Sequence, residues 1–379
     1  MPQQPDAKIP VLIYYPDIYM THYMEKLLFF SLLLPLLACA QTSKTFPGID
    51  VYPDSVWEKI ADPTENGWNA DKLKQLRSFV VDSAHTTVML VIQNGKILFE
   101  FGDVQELSYL ASCRKSVLSM LYGPFVENGT IKLNTTIDQL GLDDIGGLLP
   151  VERKATIRDL LTARSGVYHP ASNEGDASAM APKRGSVQPG SFWLYNNWDF
   201  NIAGYILEQK AGKNIYDITD SILAKPLQMQ DWKKEVQRKT GDTTRSKYLA
   251  YHMWFSTRDM ARLGYLMLRK GKWKTKQVLP ANWVTTTTSP VSTYKEAEQK
   301  KTAYFHFGYG YLWWVWDAPY NKGVYEGAYT ASGAFGQFIT VVPKLDLVVA
   351  HKTKYEYERQ VPTDVYLKIL GKLMAAQNR

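Results

Sequence analysis

The sequence predicts an α+β fold, in which one antiparallel sheet is flanked by helices and carries an inserted lobe that is mostly helical. Two apolar runs flank Asn94-Gly95 within residues 86–101, a pattern typical of a β-hairpin. Strand patterns return only late in the chain, at 310–316, 337–342 and 345–350. We therefore expect a single domain at 71–379, with a sheet lobe at 71–128 and 300–379, a helical lobe at 129–299, and a cleft between the lobes.

The helices of this fold are predicted from apolar residues at helical spacing. An amphipathic helix is expected at 71–83, ahead of the hairpin. A second helix follows the hairpin, starting near Ser112 and stopping at Asn128-Gly129. The helical lobe contributes patterns at 157–161, 200–210 and 260–269, and a last helix at 363–375 closes the chain.

Composition and charge exclude several classes of function. The 379 residues are 45% hydrophobic and 21% charged, which is typical of a globular protein with a large core. The formal charge of +7 is spread along the chain without a basic run, so nucleic-acid binding is disfavoured. The two cysteines and six histidines show no metal-ligand spacing, and we expect neither a metal site nor a cofactor.

The N-terminal segment predicts export. An apolar run at 27–38 has the length of a signal-peptide core, and it ends in Leu36-Leu-Ala-Cys39, which resembles a bacterial lipobox. That resemblance implies a signal peptide at 24–38, lipid attachment at Cys39 and an envelope lipoprotein held to a membrane by its anchor. A plain secretory signal, leaving a secreted protein, is the alternative. Residues 1–23 precede a better start at Met24, and we interpret them as a mis-assigned extension.

Residues 39–70 are polar and contain three prolines, as a tether between a lipid anchor and a domain would. The first residues with recognisable chemistry come later, at the start of the second helix. Ser112 and Lys115 lie three positions apart, so they share one face of that helix. The positive end of the helix dipole disfavours an ammonium group and favours an oxyanion. A buried, neutral Lys115 could accept the Ser112 proton, and the Ser112 amide could stabilise an oxyanion.

A second candidate group lies in the helical lobe. Tyr195-Asn-Asn197 precedes an apolar helix and is the only Tyr-x-Asn of the chain. A phenol beside Lys115 could relay the serine proton to a leaving group, and the Asn197 amide could hold a substrate carbonyl or the lysine. Taken alone, the motif would also suit a helix N-cap that follows a packed aromatic side chain.

Together these segments resemble the serine β-lactamase-like family, which contains class C β-lactamases, DD-peptidases, esterases and nylon-oligomer hydrolases. The resemblance covers residues 70–375. It is carried by Ser112-Cys-Arg-Lys115, by Asp159 to Gly166 and by Tyr195-Asn-Asn197, with further similar segments at 255–264 and 279–283. It implies a β-lactamase/transpeptidase-like fold and an acyl-enzyme mechanism. In that mechanism Ser112 attacks, Lys115 and Tyr195 move protons, and water deacylates the enzyme.

The third family motif is where the sequence departs from the pattern. Lys239-Thr-Gly241 matches it literally but lies in a polar run, and we interpret it as a surface turn. The better match by position is Ala331-Ser-Gly333, where the cation that would meet a penicillin carboxylate is absent. Backbone amides near Ser332 and Gly333 could still hold an oxyanion and bind substrate. A small-molecule ester or amide is thus the favoured substrate.

Two alternatives stay open. The chain could be a penicillin-recognising β-lactamase or DD-carboxypeptidase, or a catalytically silent envelope lipoprotein on the same fold. Several further residues near the motifs have less specific expectations. We interpret Cys113 as a small buried neighbour and Arg114 as a solvated helix residue, while His351 and Lys352 could approach the cleft from a strand end. Three tryptophans could equally line the acyl pocket or belong to the core: Trp193, Trp313 and Trp314.

Overall fold

The computed structural model describes residues 51–173, 180–298 and 307–378, and an antiparallel sheet forms its centre. The strands are β1 (Val88–Gln93), β2 (Lys96–Phe101), β3 (Ser108–Tyr109), β4 (Arg238–Thr240), β5 (Ala250–His252), β6 (Trp254–Phe255), β7 (Lys272–Trp273), β8 (Lys276–Gln277), β9 (Phe307–Tyr309), β10 (Trp314–Trp316), β11 (Tyr329–Gly333), β12 (Gln337–Val342) and β13 (Leu347–Lys352). The helices are α1 (Ala70–Asp82), α2 (Cys113–Glu127), α3 (Ile157–Leu161), α4 (Asn197–Ala211), α5 (Ile215–Thr219), α6 (Thr257–Leu268), α7 (Ala281–Thr287), α8 (Tyr294–Glu298) and α9 (Thr363–Ala375).

Early and late strands share the central sheet, in the order β2-β1-β13-β12-β11-β10-β9. The predicted hairpin is confirmed: β1 and β2 pair antiparallel across Asn94 and Gly95, both of which have positive φ angles of 48° and 75°. A Cβ on Gly95 would lie 2.0 Å from the Val51 carbonyl oxygen, so only glycine fits this turn. The predicted α+β class, an antiparallel sheet with helices, is therefore confirmed.

Helices cover both faces of the sheet. On one face, α9 stacks Tyr366 on Phe338 of β12 with ring centroids 3.9 Å apart. On the other face, α6 approaches so closely that a Cβ on Gly264 would lie 2.5 Å from Val348 and 2.8 Å from Ile339. Helix α6 lies within residues 129–299, which were predicted to form the helical lobe, but it packs on the sheet. The predicted lobe boundaries are therefore wrong for α6. A small residue in α6 allows close packing that apolar periodicity alone does not reveal.

Two further predicted elements differ from the structure. The single strand expected at 310–316 is β10 preceded by a turn, in which the Gly310 amide donates to the Trp313 carbonyl over 2.9 Å. Leu312 has a φ of 63° in this turn, which is incompatible with an extended strand. Lys239-Thr-Gly241 is not a surface turn, because its first two residues lie in β4, which pairs with β5 outside the central sheet.

The second half of the predicted tether packs on the domain. Trp57 and Trp68 are buried, and the Trp68 indole N–H donates to Gln93 Oε1 over 2.6 Å. Two large aromatic side chains gain more free energy from burial than a solvated linker would. The tether prediction is thus wrong for 51–70. Cys39, the predicted signal peptide at 24–38 and the predicted extension at 1–23 lie outside the described residues.

No helix in the three described stretches combines the length and hydropathy that a membrane span requires.

Candidate active site

Ser112 occupies the N-cap position of α2, and two residues separate it from the short strand β3. Ala111, the residue before it, has a φ of 49°, a conformation that is sparsely populated outside glycine. This strained turn places the serine where the chain changes from strand to helix. The predicted start of the second helix is confirmed, and the first-turn amides of α2 are oriented toward the same region as the serine.

Lys115 links the serine to a tyrosine from another segment. Its Nζ donates to Ser112 Oγ over 2.9 Å and to the Tyr195 hydroxyl over 2.6 Å. Lys115 is only 2% exposed, so these contacts lie in a nearly dry environment. The structure thus brings together the three side chains that the sequence singled out as catalytic candidates, although Tyr195 lies 80 positions from Lys115.

Aromatic rings enclose this group. The Tyr195 ring stacks on Trp314 of β10 at 5.6 Å between centroids, and it contacts Phe200 of α4 at 4.8 Å. Lys115 Nζ lies 4.3 Å from the centre of the Tyr195 ring and 4.7 Å from that of Phe200. These rings restrict the positions of the amine and the phenol and exclude water from them. Phe200 was not recognised from the sequence, because an aromatic residue in an apolar helix predicts only a core position.

A buried carboxyl group holds the loop that carries Tyr195. Asp199 Oδ1 accepts a hydrogen bond from Ser165 over 2.6 Å and from Asn196 Nδ2 over 3.2 Å. Burial raises the pKa of Asp199 well above its usual range. Asn196 also donates to the Val167 carbonyl over 2.6 Å. The Ser165-Gly166 loop and the Tyr195 loop are thereby fastened to each other, a function that the sequence did not indicate for Asp199.

Asn197 begins α4 and is 91% buried, since its exposed fraction is 9%. Its Oδ1 is buried and accepts no hydrogen bond from the described residues. Asn197 and Tyr195 line a cavity of about 190 Å³ that Tyr168, His169 and Arg245 also border. The predicted substrate-binding asparagine therefore lies beside the phenol, at a cavity that could receive part of a small substrate.

The third-motif region lies on the other side of Ser112. Ser332 and Gly333 end β11, and a Cβ on Gly333 would lie 3.0 Å from the Ser112 amide nitrogen and 2.8 Å from the Leu110 carbonyl oxygen. Glycine is therefore required for β11 to approach the start of α2 this closely. Lys239 of the literal motif forms its ion pair elsewhere: its Nζ pairs with Glu208 of α4 over 2.5 Å.

Substituting Gly333 with alanine is expected to lower kcat/KM by roughly 10–100-fold, because the added methyl group forces β11 away from the Ser112 amide at about 1–3 kcal/mol. Steady-state hydrolysis of a nitrophenyl ester measures the loss in kcat/KM, and a thermal melt checks that the variant is folded. Gly371→Ala in α9 is the matched control, since a Cβ there would contact nothing within 4 Å. Equal activity of both variants would show that β11 need not lie against Ser112.

The remaining candidates differ in their surroundings. Cys113 is buried as expected, its thiol donates to the Gln337 carbonyl over 3.1 Å, and burial raises its pKa, so it is not a reactive thiol. Arg114 is only 2% exposed, and its interpretation as a solvated residue is wrong. His351 is buried, and its ring nitrogens form hydrogen bonds with the Thr86 hydroxyl and the Gly336 carbonyl. Two of the tryptophans, Trp193 and Trp313, are core residues with 2% and 0% exposure.

Lys352, at the end of β13, supports the strand that leads to the nucleophile. Its buried Nζ donates to the Ser108 carbonyl over 2.9 Å and to the Phe255 carbonyl, which belong to paired residues of β3 and β6. The lysine therefore fixes this small sheet to the central one. Burial lowers its pKa from 10.5 to about 7.

The depressed pKa of Lys352 predicts a dependence of stability on pH. Between about pH 7 and 10.5 the unfolded chain binds more protons at this side chain than the folded chain, so the free energy of unfolding rises with pH. The rise is up to about 1.4 kcal/mol per pH unit, and below pH 7 the full penalty remains. Urea denaturation at several pH values should show this rise in the wild type and not in Lys352→Met. The exposed Lys344→Met is the control; an unchanged slope in Lys352→Met would contradict the prediction.

Comparison with known proteins gives the family. The family model described as Beta-lactamase matches residues 79–370. A solved structure named "putative 6-aminohexanoate-dimer hydrolase from Bacillus anthracis" superposes with a TM-score of 0.59 and 20% identity, covering 86% of this chain and 89% of that one. EstCE1, described as a hydrolase with promiscuous acyltransferase activity, superposes with a TM-score of 0.58 and 16% identity. The match covers 80% of this chain and 97% of that one.

A third structure is the octameric penicillin-binding protein homologue from Pyrococcus abyssi, with a TM-score of 0.58, 17% identity and coverage of 81% of this chain and 78% of that chain. At these identities the likeness shows a shared fold. The family model, in contrast, spans the sheet, the Ser112 helix and the Tyr195 loop in one match. The chain therefore belongs to the beta-lactamase family.

Proposed function

We propose that this protein is a serine hydrolase that cleaves an ester or amide bond through an acyl-enzyme on Ser112. One observation carries the proposal: Lys115 Nζ lies 2.9 Å from Ser112 Oγ and 2.6 Å from the Tyr195 hydroxyl, with the amine and the phenol packed among aromatic rings. A nucleophile, a base within hydrogen-bond distance and a second group that orients the base are the parts that nucleophilic catalysis requires.

Acylation would begin when Ser112 Oγ attacks the substrate carbonyl carbon. The hydroxyl proton passes to the Lys115 and Tyr195 pair, which would act as a base after giving up one proton: Lys115 would accept as a neutral amine, or Tyr195 as a phenolate. The carbonyl oxygen becomes an oxyanion, which the Ser112 amide and an amide at the Ser332–Gly333 end of β11 would stabilise. When the bond to the leaving group breaks, the Lys115 and Tyr195 pair returns the proton to the departing oxygen or nitrogen.

Deacylation would reverse these roles. A water molecule gives one proton to the Lys115 and Tyr195 pair as its oxygen attacks the acyl carbon, and the pair then reprotonates Ser112 Oγ as the acid is released. Asp199 acts indirectly, since it holds Asn196 and Ser165 around the Tyr195 loop. Asn197 would orient the substrate at the neighbouring cavity.

The third motif supports an ester or a neutral amide over a penicillin. Ala331 stands where a family cation would meet a substrate carboxylate, and the literal Lys239 is engaged with Glu208 in β4. The name of the Bacillus anthracis protein, a 6-aminohexanoate-dimer hydrolase, agrees with this preference. A penicillin-recognising enzyme and a catalytically silent binding protein remain the rival functions.

Labelling with an acylating probe separates these functions. A fluorophosphonate should modify the protein, and peptide mapping should place the adduct on Ser112. Short-chain nitrophenyl esters and matched anilides should be hydrolysed, whereas a fluorescent penicillin should label poorly. Rapid labelling by the penicillin would favour the penicillin-recognising function. Folded protein that neither reacts with the fluorophosphonate nor hydrolyses any ester would leave only the silent binding protein.

We further propose that the protein is an exported envelope lipoprotein anchored through Cys39, on the lipobox-like Leu36-Leu-Ala-Cys39. Expression of the full chain in a bacterial host with an alkyne-bearing fatty acid should label the wild type and not Cys39→Ser. Release of unlabelled protein into the medium would instead indicate a plain secretory signal.

A further inference from the structure

Arg114 is a buried cation whose hydrogen-bonding capacity is largely unused. It lies on α2 between Ser112 and Lys115, and it is only 2% exposed. Its Nη1 donates to the Ala111 carbonyl at 3.5 Å, while Nε and Nη2 are buried and have no hydrogen-bond partner in the described part of the chain. Among the ion pairs of the described residues, none involves Arg114. An unpaired buried guanidinium is strongly destabilising unless something compensates its charge.

Two buried tyrosine hydroxyls in the same region also lack hydrogen-bond partners among the described residues. The Arg114 guanidinium lies 5.1 Å from the centre of the Tyr251 ring. The hydroxyls of Tyr251 and of Tyr216, on α5, are both buried and unpartnered among the described residues. The charge of Arg114 acts on both phenols, and Tyr216 also acts electrostatically on Tyr251. All four unused atoms can donate hydrogen bonds, so the cluster requires an acceptor with negative charge.

The described residues around the cluster provide no free anion. Glu208 of α4 is the carboxylate that acts on Tyr216, but its oxygens already accept from the Ile215 amide over 2.8 Å and from Lys239 over 2.5 Å. His252 of β5 has its pKa lowered to about 4, first by burial and then by Arg114, so it is neutral near pH 7. The other charged neighbours, Arg238 of β4 and Lys115 of α2, are basic residues.

We propose that Arg114, Tyr216 and Tyr251 form a binding site for a small inorganic monovalent anion such as chloride. The guanidinium supplies the charge and two N–H groups, and the phenols supply O–H donors from α5 and β5. Such an ion would complete hydrogen bonds that otherwise remain unmade in the interior. A cavity of about 240 Å³ borders Tyr251, and Glu208 and Lys239 also line it.

This site lies beside the hydrolytic one, and Tyr195 acts electrostatically on Tyr251, but the two sites use different side chains of α2. The Ser112 and Lys115 side chains face Tyr195, whereas Arg114 faces β5 from the same helix. The bound anion would hold the first turn of α2 against β5 and neutralise the positive charge next to Lys115. Its presence requires no assumption about the reaction, and it would stabilise the folded protein even if the protein were not a hydrolase.

Two measurements on the full chain test the site. Halide-free crystals soaked in sodium bromide should show an anomalous peak within about 3.5 Å of Arg114 Nε or Nη2. In solution, replacing sodium gluconate by sodium chloride at constant ionic strength should raise Tm by about 2–4 °C, as expected for an ion that binds only the folded state at tens of millimolar. The rise should be absent in Arg114→Met.

Tyr251→Phe keeps the ring and removes the donor, so it provides the second variant if Arg114→Met does not fold. It should increase the chloride concentration for half of the Tm rise by at least about fivefold. A soaked crystal with water at Arg114 and no bromide peak would overturn the proposal. So would a chloride effect that is unchanged in the variants, or a bromide peak without any rise in Tm, which would mean binding at crystal concentration only.

Discussion

Replacing Ser112 with alanine is expected to lower kcat for a nitrophenyl ester by at least about 10⁴-fold, the largest effect of any single substitution in this chain. The change removes the oxygen that lies 2.9 Å from Lys115 Nζ. Without it no acyl-enzyme forms, and the remaining amides can stabilise only direct attack by water. The fluorophosphonate adduct on this residue should vanish together with the activity, as measured by gel fluorescence and initial rates.

Ser119→Ala is the matched control for this substitution. Ser119 lies on the same helix, is fully buried, and its hydroxyl has no hydrogen-bond partner among the described residues. Its replacement should leave both the activity and Tm nearly unchanged, because no bond is lost and no large cavity forms. A Ser112→Ala variant that folds and retains more than about a tenth of the wild-type rate would end the acyl-enzyme proposal.

The local patterns predicted much of this fold and site. The last helix at 363–375 has the predicted bounds, and the hairpin turns at Asn94 and Gly95. Local spacing determines both features, since a helix face and a two-residue turn depend on neighbours in the chain. The same reason explains why Ser112 and Lys115 could be paired from the sequence. Their separation of three positions places them on one helical face whatever the rest of the fold does.

Features that depend on distant contacts could not be predicted in this way. Arg114 is in the same turn as Lys115, yet its burial depends on Tyr251 of β5, which lies 137 positions later in the sequence (251 − 114). Likewise, α6 joins the sheet because Gly264 fits against Val348, a contact that hydrophobic periodicity does not encode. Trp57 and Trp68 are buried in a segment whose prolines and polar residues indicated a tether. Tertiary packing decided each of these cases.

Lys115→Met should lower kcat by about 10²–10⁴-fold, the range that general acid–base catalysis by one side chain contributes. Methionine retains an unbranched apolar stem among the Tyr195 and Phe200 rings, so the aromatic enclosure should persist while the amine is lost. Single-turnover measurements should show slow acylation, and fluorophosphonate labelling of Ser112 should slow in parallel. A Tm close to that of the wild type would verify that the loss is chemical.

Combining this substitution with Tyr195→Phe tests whether the amine and the phenol act as a unit. Because the Tyr195 hydroxyl is 2.6 Å from Lys115 Nζ, removing either group should interrupt the same path for the serine proton. The double variant should therefore be about as slow as Lys115→Met alone, rather than slower by the product of the two effects. Multiplicative losses would mean that Tyr195 acts independently, for example as a direct donor to the leaving group. A Lys115→Met variant with wild-type kcat would exclude the amine from proton transfer, and the geometry at Ser112 would then require a different base.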